Sequence, residues 1–151
     1  AVLLRRSAAV ATHSGLYNGP SGHPEPRDAS IEAHAGSESE GGAAAARAAD
    51  ELFASVLKEV HEETNVPLAL LSQPLLIGAM EDEARKPDLL FLTRTTLDVQ
   101  GVKAAYARGA SEGWESDRLA FVSTDELADV GFPLTPVTSA AIACYLLVAG
   151  R

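Results

Sequence analysis

The chain has 151 residues and a formal charge of −9, from 12 basic and 21 acidic side chains. This excess of acid argues against a nucleic-acid backbone or an anionic membrane surface as the main partner, because both attract basic faces. The single cysteine excludes an internal disulfide, and no apolar run reaches the length of about 18 residues that a membrane span needs.

Apolar patterning and turn residues predict a single domain over residues 1–151, an α/β or α+β sandwich. Residues 2–6 predict a buried strand at the very start, so we expect an upstream domain before it. Residues 27–42 carry no periodic apolar pattern, so we expect a flexible surface insertion there. The remaining predictions are helices over 43–64, 99–107, 125–130 and 136–148, and strands over 68–71, 75–80, 88–96 and 119–123.

Capping residues set several of these helix boundaries. Asn65 can adopt the left-handed conformation that ends a helix, and Pro67 forbids continuation. Thr124 is predicted to cap the helix over 125–130. Thr135, followed by a proline, opens the last helix.

Three glutamates lie at the end of the predicted helix over 43–64. On a helical wheel at about 100° per residue, Glu59 and Glu63 fall at the edge of the apolar stripe. Like charges four residues apart repel, and burial beside the stripe raises their pKa values. Mg²⁺, a hard cation that prefers carboxylate oxygens, would relieve both penalties. The alternative is an ordinary acidic face in contact with water.

The same residues resemble a known motif. Residues 58–66, Lys-Glu-Val-His-Glu-Glu-Thr-Asn-Val, resemble the end of the Nudix box, and residues 19–25, Gly-Pro-Ser-Gly-His-Pro-Glu, resemble its opening. The chain departs from the box in three ways. A roughly 22-residue insertion separates the two halves, Lys58 replaces arginine, and Asn65 replaces glycine.

Within the Nudix hydrolases, the segments 22–26 and 51–59 look like the UDP-sugar diphosphatase branch. That resemblance implies a Nudix-type α/β/α sandwich with a mixed sheet and a catalytic helix that carries the box. It also implies Mg²⁺-dependent hydrolysis of UDP-glucose or UDP-galactose to UMP and sugar 1-phosphate, with Mn²⁺ as a substitute. Two alternatives stay open: hydrolysis of ADP-ribose, a coenzyme A species or a dinucleoside polyphosphate, and nucleotide binding without turnover.

The resemblance also assigns candidate site residues. Nudix enzymes often take a base or a further metal ligand from a later loop, for which the chain offers Glu83 or Glu115. Tyr17 or Trp114 is a candidate for stacking on uracil. The compartment stays open, with the cytoplasm favoured over an address set by an upstream targeting segment, and the oligomeric state stays open too. The assigned residues are Glu59, Glu62 and Glu63 as metal ligands, Glu62, Glu63 and Glu115 as catalytic groups, and Arg5, Gly22 and His23 as substrate contacts.

Overall fold

Strands and helices alternate along the chain in the computed structural model, which describes residues 1–23, 41–82 and 85–150. This mixture agrees with the predicted α/β class. The elements are β1 (Val2–Arg6), β2 (Tyr17–Asn18), α1 (Gly41–Thr64), β3 (Leu75–Glu81), β4 (Pro87–Leu92), α2 (Val99–Ala107), β5 (Ser116–Phe121) and α3 (Pro136–Val148), with short 3-10 helices at Leu68–Leu70 and Leu127–Asp129.

A three-stranded antiparallel sheet has the strand order β2-β1-β5. The central strand pairs Leu4 with Asn18 on one side and with Leu119 on the other. The register shifts between Arg5 and Arg6, after which Arg6 still pairs with Ser116. Tyr17 also forms an isolated parallel bridge, so the strand pairing at the β2 edge of the sheet is not purely antiparallel.

The three-stranded sheet is covered on both faces. Successive strand residues point to opposite sides, and Leu3 packs in a cluster with side chains of α3, whereas Val2 packs with side chains of α2. The alternation continues along β5, where Leu119 faces the α2 side and Ala120 the α3 side. The sheet therefore lies between α3 on one face and α2, with the segment that follows α1, on the other.

A separate hairpin is formed by β3 and β4, which pair antiparallel from Leu75 opposite Leu92 to Glu81 opposite Pro87. This hairpin packs against α3. The approach is close, because a Cβ on Gly78 would lie 2.6 Å from Cys144 Sγ. Glycine is what permits this helix-to-sheet distance.

The predicted helix ends are largely confirmed. Asn65 has φ 57° directly after the last residue of α1, as the capping argument requires. Thr135 caps α3 by accepting a hydrogen bond from the amide of Thr138. The helix α1 begins at Gly41, two residues earlier than predicted, and most of the expected insertion, residues 27–40, lies outside the described residues.

Other predicted elements were wrong. Residues 68–71 were expected to form a buried strand, but i to i+3 hydrogen bonds close a 3-10 turn at Leu68–Leu70, and Leu68 is exposed. The helix expected over 125–130 is likewise a 3-10 turn, Leu127–Asp129, without a side-chain cap. The strand expected at 119–123 starts and ends earlier, at Ser116–Phe121.

Among the described residues, no helix is both long enough and apolar enough to cross a membrane.

Candidate metal and active site

The last two turns of α1 carry three acidic side chains. Glu63 is buried, with 6% of its surface exposed, whereas Glu59 and Glu62 are half-buried. Positions three and four apart lie on the same side of a helix, which is why the spacing of these residues brings their carboxylates together. The side chain of Lys58 lies on this helix too, with Nζ 3.9 Å from Glu62 Oε1.

A loop between α2 and β5 brings two further acids to the same place. The amide of Glu112 donates to the backbone carbonyl of Glu62 at 2.9 Å, so the end of α1 itself holds the loop. This bond also satisfies a carbonyl in the last turn of α1, which has no partner within the helix. The amide of Ser7 donates to the carbonyl of Glu115 at 2.8 Å, and the Ser7 hydroxyl donates to the carbonyl of Trp114.

Three carboxylates from these two elements meet. Glu59, Glu62 and Glu112 each offer an oxygen, and these oxygens all lie within 4.8 Å of one another. The three side chains are half-buried. We call these residues the carboxylate triad. Two members come from the helix and one from the loop, so the triad exists only in the folded chain.

The charges at this end of α1 repel one another. Burial, together with the neighbouring carboxylates of Glu112 and Glu62, raises the pKa of Glu59 to about 7. The pKa of Glu63 is raised to about 8, mainly by burial and also by the charge of Glu115, against the lowering effect of the hydrogen bond from the Ser21 amide. The site is therefore a concentration of negative charge in partly dehydrated surroundings.

The chain between β2 and the first undescribed residue closes over the same helix. The amide of Ser21 donates to Glu63 Oε1 at 2.8 Å. A Cβ on the next residue, Gly22, would overlap the carboxylate of Glu59. This segment thus touches both glutamates at their carboxylates, and only glycine fits at position 22 without displacing one of them.

The donor set fits a hard divalent cation. Clustered carboxylate oxygens are the ligands that Mg²⁺ and Mn²⁺ take, and a cation among them would offset the repulsion that raises the pKa values of Glu59 and Glu63. An acidic face fully open to water would not show these shifts. The burial of Glu63 therefore argues against a solvated acidic face at that position.

The other predicted site residues have different surroundings. Arg5 forms a two-point ion pair with Asp117, at 2.6 Å from Nε and 2.9 Å from Nη2. His23 is exposed immediately after Gly22. Glu83 lies outside the described residues.

The two aromatic candidates differ in exposure. Tyr17 is buried and stacks on Phe132, with ring centroids 4.6 Å apart, so its ring already has a partner in the core. Trp114 is 59% exposed and lies in the loop that carries Glu112. Of the two, only Trp114 presents its ring to the outside.

Sequence reasoning missed Glu112. The available signal was a short loop, Ser-Glu-Gly-Trp-Glu at 111–115, with two acids three residues apart. Glu115 is named from the sequence and Glu112 is passed over, although nothing local distinguishes the two. The distinction comes from the long-range hydrogen bond between the backbones of Glu112 and Glu62.

Comparison with curated proteins gives strong relatives, although no family model matches the chain. The human uridine diphosphate glucose pyrophosphatase NUDT22 is 36% identical over 156 aligned positions, covering 99% of this chain and 50% of that protein. The bovine protein of the same name is 34% identical, over 99% of this chain and 53% of its own length. Nudix hydrolase 9 of Arabidopsis thaliana is 35% identical over 83% of this chain and 41% of its own length.

These likenesses confirm the predicted resemblance to the Nudix hydrolases. They also place that resemblance near the UDP-glucose pyrophosphatases, the name that the mammalian relatives carry. The chain spans about half the length of the curated relatives it matches. Because the similarity to the human and bovine proteins covers 99% of the chain, it includes both α1 and the loop that carries Glu112.

Proposed function

We propose that this chain is the catalytic Nudix domain of a divalent-cation-dependent diphosphatase that cleaves UDP-sugars, UDP-glucose and UDP-galactose, to UMP and sugar 1-phosphate. The observation that carries the proposal is the carboxylate triad on a chain whose relatives are named UDP-glucose pyrophosphatases. In this proposal the fold is the Nudix-type α/β/α sandwich, and α1 is its catalytic helix.

The triad would hold the cation, Mg²⁺ or its substitute Mn²⁺, between Glu59, Glu62 and Glu112. Such a cation, when bound, supplies positive charge to the diphosphate and makes water a better nucleophile at neutral pH. The role of the triad itself is to bind and orient the cation. Glu62 is further held by Lys58, whose ammonium leaves less negative charge to be compensated at that side of the site.

Glu63 lies outside the carboxylate triad, although sequence reasoning assigns it as a metal ligand. Its Oε1 accepts the Ser21 amide, and we assign its other oxygen, Oε2, the role of an additional ligand or proton acceptor. The backbone of Glu115 is held by the amide of Ser7, directly after β1, and the charge of Glu115 raises the pKa of Glu63. We assign Glu115 the proton of the attacking water as the phosphorus–oxygen bond to the bridging oxygen breaks.

Substrate contacts would come from the open side of the triad. Gly22 lies against the Glu59 carboxylate, and His23 follows it on the surface. Arg5 uses Nε and Nη2 on Asp117, so a phosphate would meet its remaining donors. The substrate is a small nucleotide-sugar, and neither nucleic acid nor a membrane enters the proposal.

A product assay on a nucleotide panel tests the proposal. The protein, expressed with the full length of its gene product, is incubated with Mg²⁺ and with UDP-glucose, UDP-galactose, ADP-ribose, coenzyme A or a dinucleoside polyphosphate. We expect UMP and the sugar 1-phosphate from the UDP-sugars, in equal amounts. Turnover of another substrate in their place transfers the assignment to that class, and nucleotide binding without any turnover contradicts the enzymatic role.

A further inference from the structure

A buried group of polar side chains connects the start of α3 to β2. Asn18, Thr135 and Thr138 are 5%, 1% and 5% exposed. Both threonine hydroxyls donate to Asn18 Oδ1, each at 2.6 Å. Buried polar groups are costly unless paired, so such a group persists only where its hydrogen bonds are made.

The capping of α3 does not explain why a buried asparagine occupies position 18. Thr135 already accepts the Thr138 amide and so caps the helix without help from β2. The two lone pairs of Asn18 Oδ1 take the two hydroxyl protons, which fixes the orientation of the amide group. The amide nitrogen then points away from α3, toward the segment that leads to the carboxylate site.

That amide nitrogen holds Ser21. Asn18 Nδ2 donates to Ser21 Oγ at 2.6 Å, although the serine itself is exposed. A hydroxyl at an exposed position can be satisfied by water, so the bond is not needed to avoid an unpaired group. Its effect is to fix the backbone of Ser21, whose amide donates to Glu63 Oε1 at 2.8 Å.

We propose that Asn18 is a positioning residue which, through the hydroxyl of Ser21, holds the segment 19–22 on α1 and thereby sets the carboxylates of Glu63 and Glu59. The path runs from the rigid start of α3 to Asn18, to Ser21 and to Glu63. Gly22 follows directly and lies against Glu59. The inference rests on the proposed function, because the carboxylates it positions are the assigned site of the cation.

The test removes the Ser21 hydroxyl and leaves the buried residues in place. Ser21→Ala cuts the path at an exposed position, and Ser21→Thr restores a hydroxyl. Ser139→Ala is the matched control, because Ser139 is also exposed and its hydroxyl donates to a carbonyl of the same helix start, outside the path.

Two readouts do not require catalysis: amide hydrogen exchange at position 21 in the metal-free protein, and Mg²⁺ affinity by calorimetry. We expect Ser21→Ala to speed exchange and to weaken Mg²⁺ binding by about three- to tenfold each, the range that the loss of one net hydrogen bond covers. The melting temperature should stay within a few degrees of the parent. We expect Ser21→Thr to recover both values and Ser139→Ala to leave both unchanged.

A double-mutant cycle adds Asn18 itself. If the path is real, Ser21→Ala costs no further Mg²⁺ affinity in an Asn18→Ala background. Should Asn18→Ala fail to fold, the Ser21 variants alone decide. Unchanged exchange or unchanged Mg²⁺ affinity in folded Ser21→Ala overturns the proposal, as does a Ser21→Thr variant that stays as weak as Ser21→Ala.

Failure of the proposed function is recognised separately, since the parent protein would then bind Mg²⁺ without hydrolysing UDP-glucose.

Discussion

The glycine at position 22 offers the sharpest perturbation of the acidic site. A Cβ on Gly22 would overlap the carboxylate carbon and both oxygens of Glu59. Gly22→Ala therefore moves a proposed metal ligand without removing it or changing its charge. Gly19→Ala is the matched control in the same segment, because a Cβ there meets nothing within 4 Å and its amide still donates to Thr138 Oγ1.

The size of the overlap sets the size of the effect. Real Cβ atoms essentially never approach closer than 3.0 Å, and the added Cβ would lie about 1 Å inside that limit. The carboxylate is the mobile end of Glu59, so the fold can absorb the overlap, and we expect the free energy of unfolding to change by less than about 0.5 kcal/mol. Displacing a group at the reacting centre by about 1 Å lowers the rate by up to about 100-fold.

The assay compares the two glycine variants directly. UMP release from UDP-glucose is measured across a Mg²⁺ titration, and urea denaturation checks stability. We expect Gly22→Ala to lose activity and to need more Mg²⁺, while Gly19→Ala matches the parent. The reasoning is refuted if folded Gly22→Ala releases UMP at a rate within about twofold of Gly19→Ala, a difference in activation free energy of well under 1 kcal/mol.

Further predictions concern stability. The folded state raises the pKa of Glu63 to about 8 and that of Glu59 to about 7, against an ordinary value of 4.5, so it binds protons more tightly than the unfolded chain. Thermal melts of the metal-free protein should therefore show stability falling as the pH rises from about 4.5 to 8, and a flat or rising profile contradicts this. At φ 57°, Asn65→Gly keeps the backbone relaxed, whereas Asn65→Ala should be less stable than Asn65→Gly by about 1 kcal/mol in urea denaturation; equal stability argues against the cap. Gly78→Ala should lower the free energy of unfolding by about 1–3 kcal/mol, because its Cβ crowds Cys144. Adding Cys144→Ala should recover part of that loss in the same measurement, whereas simple additivity of the two changes excludes the contact.

Local chemistry makes the bounds of three α-helices predictable, although the helix predicted over 125–130 from a similar signal is a 3-10 turn. The helix α2 is predicted at residues 99–107 and α3 at 136–148, and both bounds are as observed. The end of α1 at Asn65 is equally clear, because few residues other than glycine adopt a positive φ there. Each of these signals acts within a few residues of the boundary that it sets.

Elements that depend on distant partners are not predictable in the same way. The strand β2 has only two residues, Tyr17–Asn18, within a stretch rich in Gly and Pro, and it exists because β1 pairs with it. Leu71 belongs to the run predicted as a buried strand, but it makes only an isolated bridge with Thr95. A short apolar run does not by itself specify whether a partner strand is present.

In the candidate site too, local sequence predicts one part and contacts between distant residues determine the rest. The spacing of Glu59, Glu62 and Glu63 along one helix predicts a metal site, and the structure brings two of them, Glu59 and Glu62, into the carboxylate triad. The third member of the triad, Glu112, follows α1 by almost fifty residues and is placed by a backbone bond to Glu62. Sequence spacing along a helix predicts one side of such a site, and the fold supplies the other.

The most direct test of the proposed activity and of the triad is a single assay of UMP and glucose 1-phosphate release from UDP-glucose at saturating Mg²⁺. The parent protein is compared with Glu112→Gln and with Glu81→Gln, whose glutamate is an exposed partner of Arg85 on the hairpin. We predict equal amounts of both products from the parent and from Glu81→Gln, and a loss on the order of 100-fold or more in Glu112→Gln. No products from the parent, or full activity in Glu112→Gln, would contradict the account.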